Sequence, residues 1–208
     1  QASAVPQPPD IYPDSRNRLP IVDRGSLDEL GRSMYDETDA DMKSGRLLAG
    51  FQGPVGIALY SPRVADADRR KLQYLRFDSH LGRRLYELTV LVAARELNHQ
   101  FEWTAHEPAA LRAGLDPRIV DVVKLRRPVA GVPQVESVII RLGRQALGGH
   151  SVDSATFAQA RALLRTAYPF PLPQLNAVAA IVLRLDFHKP QAPSPQPLRL
   201  RPRLAGLL

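Results

Sequence analysis

The sequence predicts an all-α fold, and three observations carry that expectation. Apolar residues recur at helical rather than alternating spacing along most of the chain. Leu, Ala and Arg dominate, while aromatic residues make up only 6% of the 208 residues, a composition that favours helices over a β-sandwich. The periodic segments are joined by short connections, with no internal repeat. With 44% hydrophobic and 24% charged residues, the chain is long enough for one domain with a substantial core.

The elements follow in order. Residues 1–24 contain five prolines and little periodicity, and read as an extended arm on the body or on a neighbouring subunit. Ser26 or Asp28 is placed to cap a first helix from Leu27 to about Thr38, with Leu27, Leu30 and Met34 on one face. Residues 44–62 are rich in Gly and Pro and read as a linker, anchored by Phe51, Val55, Ile57, Leu59 and Tyr60 and packed over a core or pocket. A helix is expected over 64–79, with Val64, Leu72, Leu75 and Phe77 as its apolar residues. The next, 82–97, is apolar nearly all round, which predicts a central buried helix. Asn98 breaks it. A further helix over 99–113 is closed by Gly114. Asp116-Pro117 supplies a cap and a first-turn proline for a helix to about Leu125. Residues 133–147 form another, and Ser151-Val152-Asp153 opens one with Phe157, Ala160 and Leu164 on one side. Residues 166–208 contain eight of the 19 prolines. They read as a divergent, partly disordered segment with a short apolar helix at 176–185. The domain proper is thus 25–165.

Several function classes drop out. There are no cysteines, so disulfides, thiolate metal sites, iron–sulfur clusters and thiol redox relays are excluded. No apolar run approaches the ~20 residues that span a bilayer. The net charge of +7 is concentrated in residues 166–208, which hold five basic residues and one acidic one. The body is close to balanced and lacks a basic patch interleaved with aromatics, so no nucleic-acid partner is expected. There is no Gly-x-Gly-x-x-Gly, Walker loop or nucleophile elbow, and no organic cofactor is expected. The opening Gln-Ala-Ser-Ala-Val-Pro resembles the mature end left by signal-peptide removal, which gives a periplasmic or secreted location as the expectation and a cytoplasmic one as its alternative.

The chemistry-bearing residues stand out against apolar surroundings. Glu87 lies inside Leu85-Tyr86-Glu87-Leu88-Thr89-Val90-Leu91-Val92, where a carboxylate is desolvated unless it meets a partner. His99, Glu102 and His106 follow at i, i+3 and i+7, within about 60° of one another on an ideal helix. Trp103 flanks them as an apolar wall. If the two helices joined at Asn98 pack together, two carboxylates and two imidazoles meet in a partly dry pocket, an arrangement suited to proton transfer. Two other readings remain open. In one, Glu87 pairs with Arg83 or Arg84 and the other three form a solvated face. In the other, His99, Glu102, His106 and Glu87 ligate a metal, although the i, i+4 His pair of zinc proteases is missing.

The stretch Glu87-Leu-Thr-Val-Leu-Val-Ala-Ala-Arg-Glu-Leu-Asn-His-Gln-Phe-Glu-Trp-Thr-Ala-His106 and its continuation through Gly114-Leu-Asp-Pro117 resemble the carboxymuconolactone decarboxylase family. That family shares its helical fold with the alkylhydroperoxidase D proteins. Gly53-Pro-Val-Gly-Ile-Ala-Leu-Tyr-Ser-Pro-Arg-Val-Ala65 and Val152-Asp-Ser-Ala-Thr-Phe157 resemble flanking segments of the same family. The resemblance spans residues 45–165 and fades near Thr166, where relatives continue into a long apolar helix. In the peroxidase branch a glutamate is followed by Cys-x2-Cys and a histidine. Glu87 and His106 match the glutamate and the histidine, while His99 and Glu102 stand at the cysteine positions. Without a thiolate no peroxide is attacked, so a peroxiredoxin label reaches this chain by similarity only.

The resemblance therefore implies acid–base chemistry of the lactone-decarboxylase kind: a lyase or isomerase acting on a small organic acid or lactone. Glu87, His99, Glu102 and His106 are the catalytic candidates. Trp103 and Arg83 are candidates for substrate contact, and Arg63 and Arg84 are further cationic anchors. The family's trimers and hexamers imply a homo-oligomer. A non-catalytic helical assembly module that retains only the fold is the competing expectation.

Overall fold

The computed structural model describes residues 9–44, 50–79 and 81–165. Among these residues every regular element is helical. The elements are a 3₁₀ turn (Arg24–Ser26), α1 (Glu29–Lys43), α2 (Pro54–Ala58), α3 (Pro62–Gln73), α4 (Arg83–Glu96), α5 (Gln100–Arg112), α6 (Pro117–Lys124), α7 (Gln134–Gly143) and α8 (Ser154–Arg165). Single π-helical turns extend α3 (Tyr74–Asp78) and α7 (Arg144–Gly148). The described residues are all-α, as composition and periodicity predict. The helix expected at 176–185 and the proline-rich character of 166–208 lie outside the described residues.

α4 is the central helix. All nine residues from Tyr86 to Ala94 are buried, because α5, α6, α7 and the turn after α7 pack around it. Leu88 and Leu91 are wholly inaccessible, and each full burial contributes about 1.5–3 kcal/mol. Val138, Ile139 and Ile140 of α7 complete this core with Ile119, Val120 and Val123 of α6. Gly143 lets α7 approach closely: a β-carbon there would lie 2.4 Å from Val92 Cγ1.

Three helix ends share one device. At Asn98 (φ 52°) the His99 amide donates to the Ala94 carbonyl at 2.7 Å, and the Asn98 amide donates to the Arg95 carbonyl at 3.3 Å. Gly114 ends α5 and Arg126 ends α6 with the same pair of reversed bonds. This left-handed closure satisfies carbonyls that the helix leaves unpaired and turns the chain sharply. Asp28, Asp116 and Asp153 accept amide hydrogens in the opening turns of α1, α6 and α8.

A second, smaller core joins Val22, Met34, Phe51, Leu59 and Ala65. Residues 9–22 lie on the body there. The Tyr60 hydroxyl donates to the Pro20 carbonyl at 2.9 Å, and Asn17 Nδ2 donates to the Gly53 carbonyl at 3.4 Å.

Three expectations about which residues face inward are corrected. Val64 and Phe77 are 64% and 62% exposed; the buried residues of that segment are Ala65, Leu75 and Ser79, and the π-helical turn shifts the register of Phe77 after Gln73. Ile57 and Tyr60 are exposed while Phe51 and Leu59 anchor the linker, which contains the short helix α2. On α8 the residues of described burial that are buried are Thr156 and Ala160, not Phe157, and the Leu164 side chain lies outside the description. Asp28, rather than Ser26, caps α1, and α1 continues to Lys43, past the expected Thr38.

Candidate active site

The turn at Asn98 folds α5 back along α4, and two helical i, i+4 pairs meet face to face. On α4, Arg83 Nη2 stands 2.7 Å from Glu87 Oε1. On α5, His106 Nε2 stands 3.3 Å from Glu102 Oε2. Across the helices, His106 Nδ1 lies 2.7 Å from Glu87 Oε2. The imidazole is thus held between two carboxylates, and charge alternates along Arg83, Glu87, His106 and Glu102.

Burial grades the four groups. The Glu87 side chain is fully enclosed, Glu102 and His106 are 9% and 14% exposed, and Arg83 reaches solvent at 42%. A buried carboxylate costs several kcal/mol in desolvation unless it is compensated. Glu87 meets that cost with His106 on one oxygen and the Arg83 charge on the other. The Arg83 contact is a charge pairing without hydrogen-bond alignment, so Oε1 has no donor aimed at it among the described residues.

The imidazole responds to opposed influences. Burial alone pushes it toward the neutral form, but the bonds and charges of Glu102 and Glu87 outweigh burial and hold it above the ordinary histidine value of 6.5. Relative to a free histidine the imidazolium is favoured over the neutral ring, because each ring nitrogen faces a carboxylate.

The four sequence-level candidates separate here. Glu87, Glu102 and His106 come together. His99 does not join them: it is the cap of α5, outside the helix at φ −88°, ψ 87°, and its Nδ1 accepts the Glu102 amide at 3.5 Å. The one-face geometry assumed a continuous helix from 99, whereas α5 begins at Gln100 because the left-handed Asn98 closes α4.

Trp103 is buried in the main core, with its polar edge turned toward α6. Its Nε1 donates to Glu107 Oε2 at 2.8 Å, and Lys124 Nζ lies 3.0 Å from Glu107 Oε1 and 5.9 Å from the indole centroid. Arg84 leaves the site for Glu136 of α7. The pairing of Glu87 with Arg83 that the solvated-face reading required is present. It is part of a buried cluster rather than a solvated face.

Arg76 escaped the sequence reading. It sits on the π-helical turn after α3, where its Nε donates to the Tyr86 hydroxyl at 3.1 Å. Both the Arg76 and Arg83 guanidiniums lie over the Tyr86 ring, at 5.7 and 5.4 Å from its centroid. The one signal in the sequence was an arginine between the apolar Leu75 and Phe77, which is too common to single out.

A metal reading requires a free imidazole lone pair. Both nitrogens of His106 face carboxylates, and among the described residues no group of three or more His, Asp or Glu is arranged to hold a metal ion. No helix among them is long and apolar enough to cross a membrane.

Residues 62–141 match the model of the carboxymuconolactone decarboxylase family. That stretch runs from the first residue of α3 into α7 and contains Arg76, Arg83, Glu87, Glu102 and His106. No curated protein and no solved structure matches the chain. Over residues 62–141, less than half of its length, the chain is similar to the carboxymuconolactone decarboxylase family.

Proposed function

We propose that the protein is an acid–base lyase or isomerase acting on a small lactone or organic acid, with His106 as its proton-transfer group. The observation that carries this reading is the imidazole held at 2.7 Å by Glu87 and 3.3 Å by Glu102. The short Nδ1 contact to the enclosed Glu87 fixes the ring. The longer Nε2 contact, on the less buried side, is the one that opens to substrate. Glu87 and Glu102 favour the protonated ring, which suits a general acid.

In a decarboxylation the bond between the carboxylate carbon and its neighbour breaks, and its electron pair passes into the adjacent carbonyl system as carbon dioxide leaves. The Nε2 proton then moves to that carbon, and water reprotonates the ring. An isomerisation uses the neutral form of the same ring to remove a proton beside a carbonyl, and the imidazolium so formed returns it to another carbon of the conjugated system. Neither route needs a thiol.

A screen of small lactones and β-keto acids tests the reading, followed by carbon dioxide release and by uptake of solvent deuterium beside the carbonyl. The protein turns over at least one of them, and His106→Gln lowers that rate by about 10²-fold or more while the helical circular dichroism signal persists. Undiminished turnover in H106Q removes the proposal. The exposed Val64, Tyr74 and Phe77 on α3 and its terminal turn support assembly of several copies, as a trimer or hexamer. Light scattering that finds a monomer at micromolar concentration counts against that assembly.

A further inference from the structure

The acid–base reading leaves Arg76 without a task. Its Nε is committed to the Tyr86 hydroxyl at 3.1 Å, which orients the guanidinium. Its two terminal amino groups have no acceptor among the described residues, and no described carboxylate lies within ion-pairing distance of it. The group is nonetheless inside the site's field. Burial works against its charge, and Tyr86 together with the charges of Glu87 and Glu102 more than restores it.

A half-buried guanidinium with a fixed orientation and two unanswered amino groups presents a planar fork that matches a carboxylate. Charge placement agrees. Among the described residues, the guanidiniums of Arg83 and Arg76 stand beside the Glu87–His106–Glu102 cluster, and only the Arg83 guanidinium is paired with a carboxylate of it.

We propose that Arg76, braced on Tyr86 beside the Glu87–His106–Glu102 cluster, is a carboxylate-binding residue, with Arg83 over the same ring as a second cation. The substrate is therefore bound as an anion, and neutral lactones without a carboxylate are excluded. This inference rests on the acid–base reading for the position of the reacting carbon, but the anion subsite is measurable without turnover.

Isothermal titration at constant ionic strength uses succinate as the probe and its neutral diamide, succinamide, as the control. Saturable succinate binding and no succinamide binding are expected. Arg76→Met is expected to weaken succinate binding by about tenfold or more, the loss of a charge-assisted fork, with the thermal melt showing a folded protein. Arg76→Gln keeps a polar donor for Tyr86 while removing the charge, and carries the same expectation if R76M does not fold. In the unmutated protein, succinate at saturation shifts the Arg76 Nε–H resonance.

Four results overturn the proposal: no succinate binding, equal binding of succinamide, unchanged affinity in a folded R76M or R76Q, or an unmoved Arg76 resonance. The two readings fail separately. Lost turnover in H106Q with normal succinate affinity in R76M removes the anchor alone. Undiminished turnover in H106Q with weakened binding in R76M removes the acid–base reading alone.

Discussion

At the scale of single residues, the bracketed imidazole makes a definite statement about pH. Because its folded value is raised above 6.5, His106 contributes stability that is fully present below the unfolded histidine value. That contribution is lost as pH rises through the folded value. Urea unfolding at about pH 6 and about pH 9, run on the wild type and on H106Q, isolates it: the wild type loses more stability between the two than the variant does. The same logic applies to turnover. If the imidazolium is the working acid, rate falls as pH rises through its titration, and Glu102→Gln, which removes one of the two carboxylates holding it charged, moves that fall to lower pH. A profile unchanged by E102Q denies Glu102 this role. Glu87 was legible because it is a titratable group out of place in an apolar run, and Glu102 and His106 because their helical spacing puts them on one face. Arg76 was not, since an arginine's partner on another helix is set by tertiary packing and leaves no mark on local spacing.

Helices explain where the sequence reading succeeds and where it slips. The turn at Asn98 sets the geometry of α4 against α5, and its φ of 52° is reached at little cost by Asn. Asn98→Val is expected to destabilise by about 1–2 kcal/mol, the strain of a β-branched residue in the left-handed region, measured as a lowered denaturation midpoint at constant m-value. Gly143 makes the parallel point for α4 against α7. A β-carbon there would lie 2.4 Å from Val92 Cγ1, so Gly143→Ala is expected to cost about 1–3 kcal/mol as an overpacked core. Adding Val92→Ala recovers part of that cost, a coupling read from the double-mutant cycle. Helix ends were legible because caps, prolines and left-handed closures are local chemistry: Asp116-Pro117, Gly114 and Asn98 all act where the sequence places them. Inward faces were less legible: Phe77 follows an ideal period that the π-helical turn at Tyr74–Asp78 interrupts, and Val64, in the first turn of α3, is left exposed while its neighbour Ala65 is buried. His99 failed for a related reason. Its spacing to Glu102 assumes one helix, and the chain changes direction just before it.

The molecule as a whole divides unequally between its two cores, and the site draws on the boundary between them. The large core wraps α4 with α5, α6 and α7, and holds Glu87, Glu102 and His106. The small core gathers Val22, Met34, Phe51, Leu59 and Ala65 from the N-terminal segments. The turn that carries Arg76 continues from α3, which contributes Ala65 to the small core, and places Leu75 in the large one. A small apolar cluster offsets less conformational entropy than a large one, so the N-terminal layer should open before the α4 core does. Native-state hydrogen exchange makes the test. Amides of α4 and α7 are expected to exchange only through global unfolding, and those of α1 and residues 50–60 through a lower-energy opening. Leu59→Ala, at a side chain only 1% exposed, should lower protection in α1 and α3 by removing about 2–5 kcal/mol of local stability, while the order of exchange in α4 stays the same. Equal loss of protection in α4 and α1 would mean that the two cores open as one unit. Arg76 would then be held as firmly as His106, and a bound carboxylate would slow exchange in both regions alike.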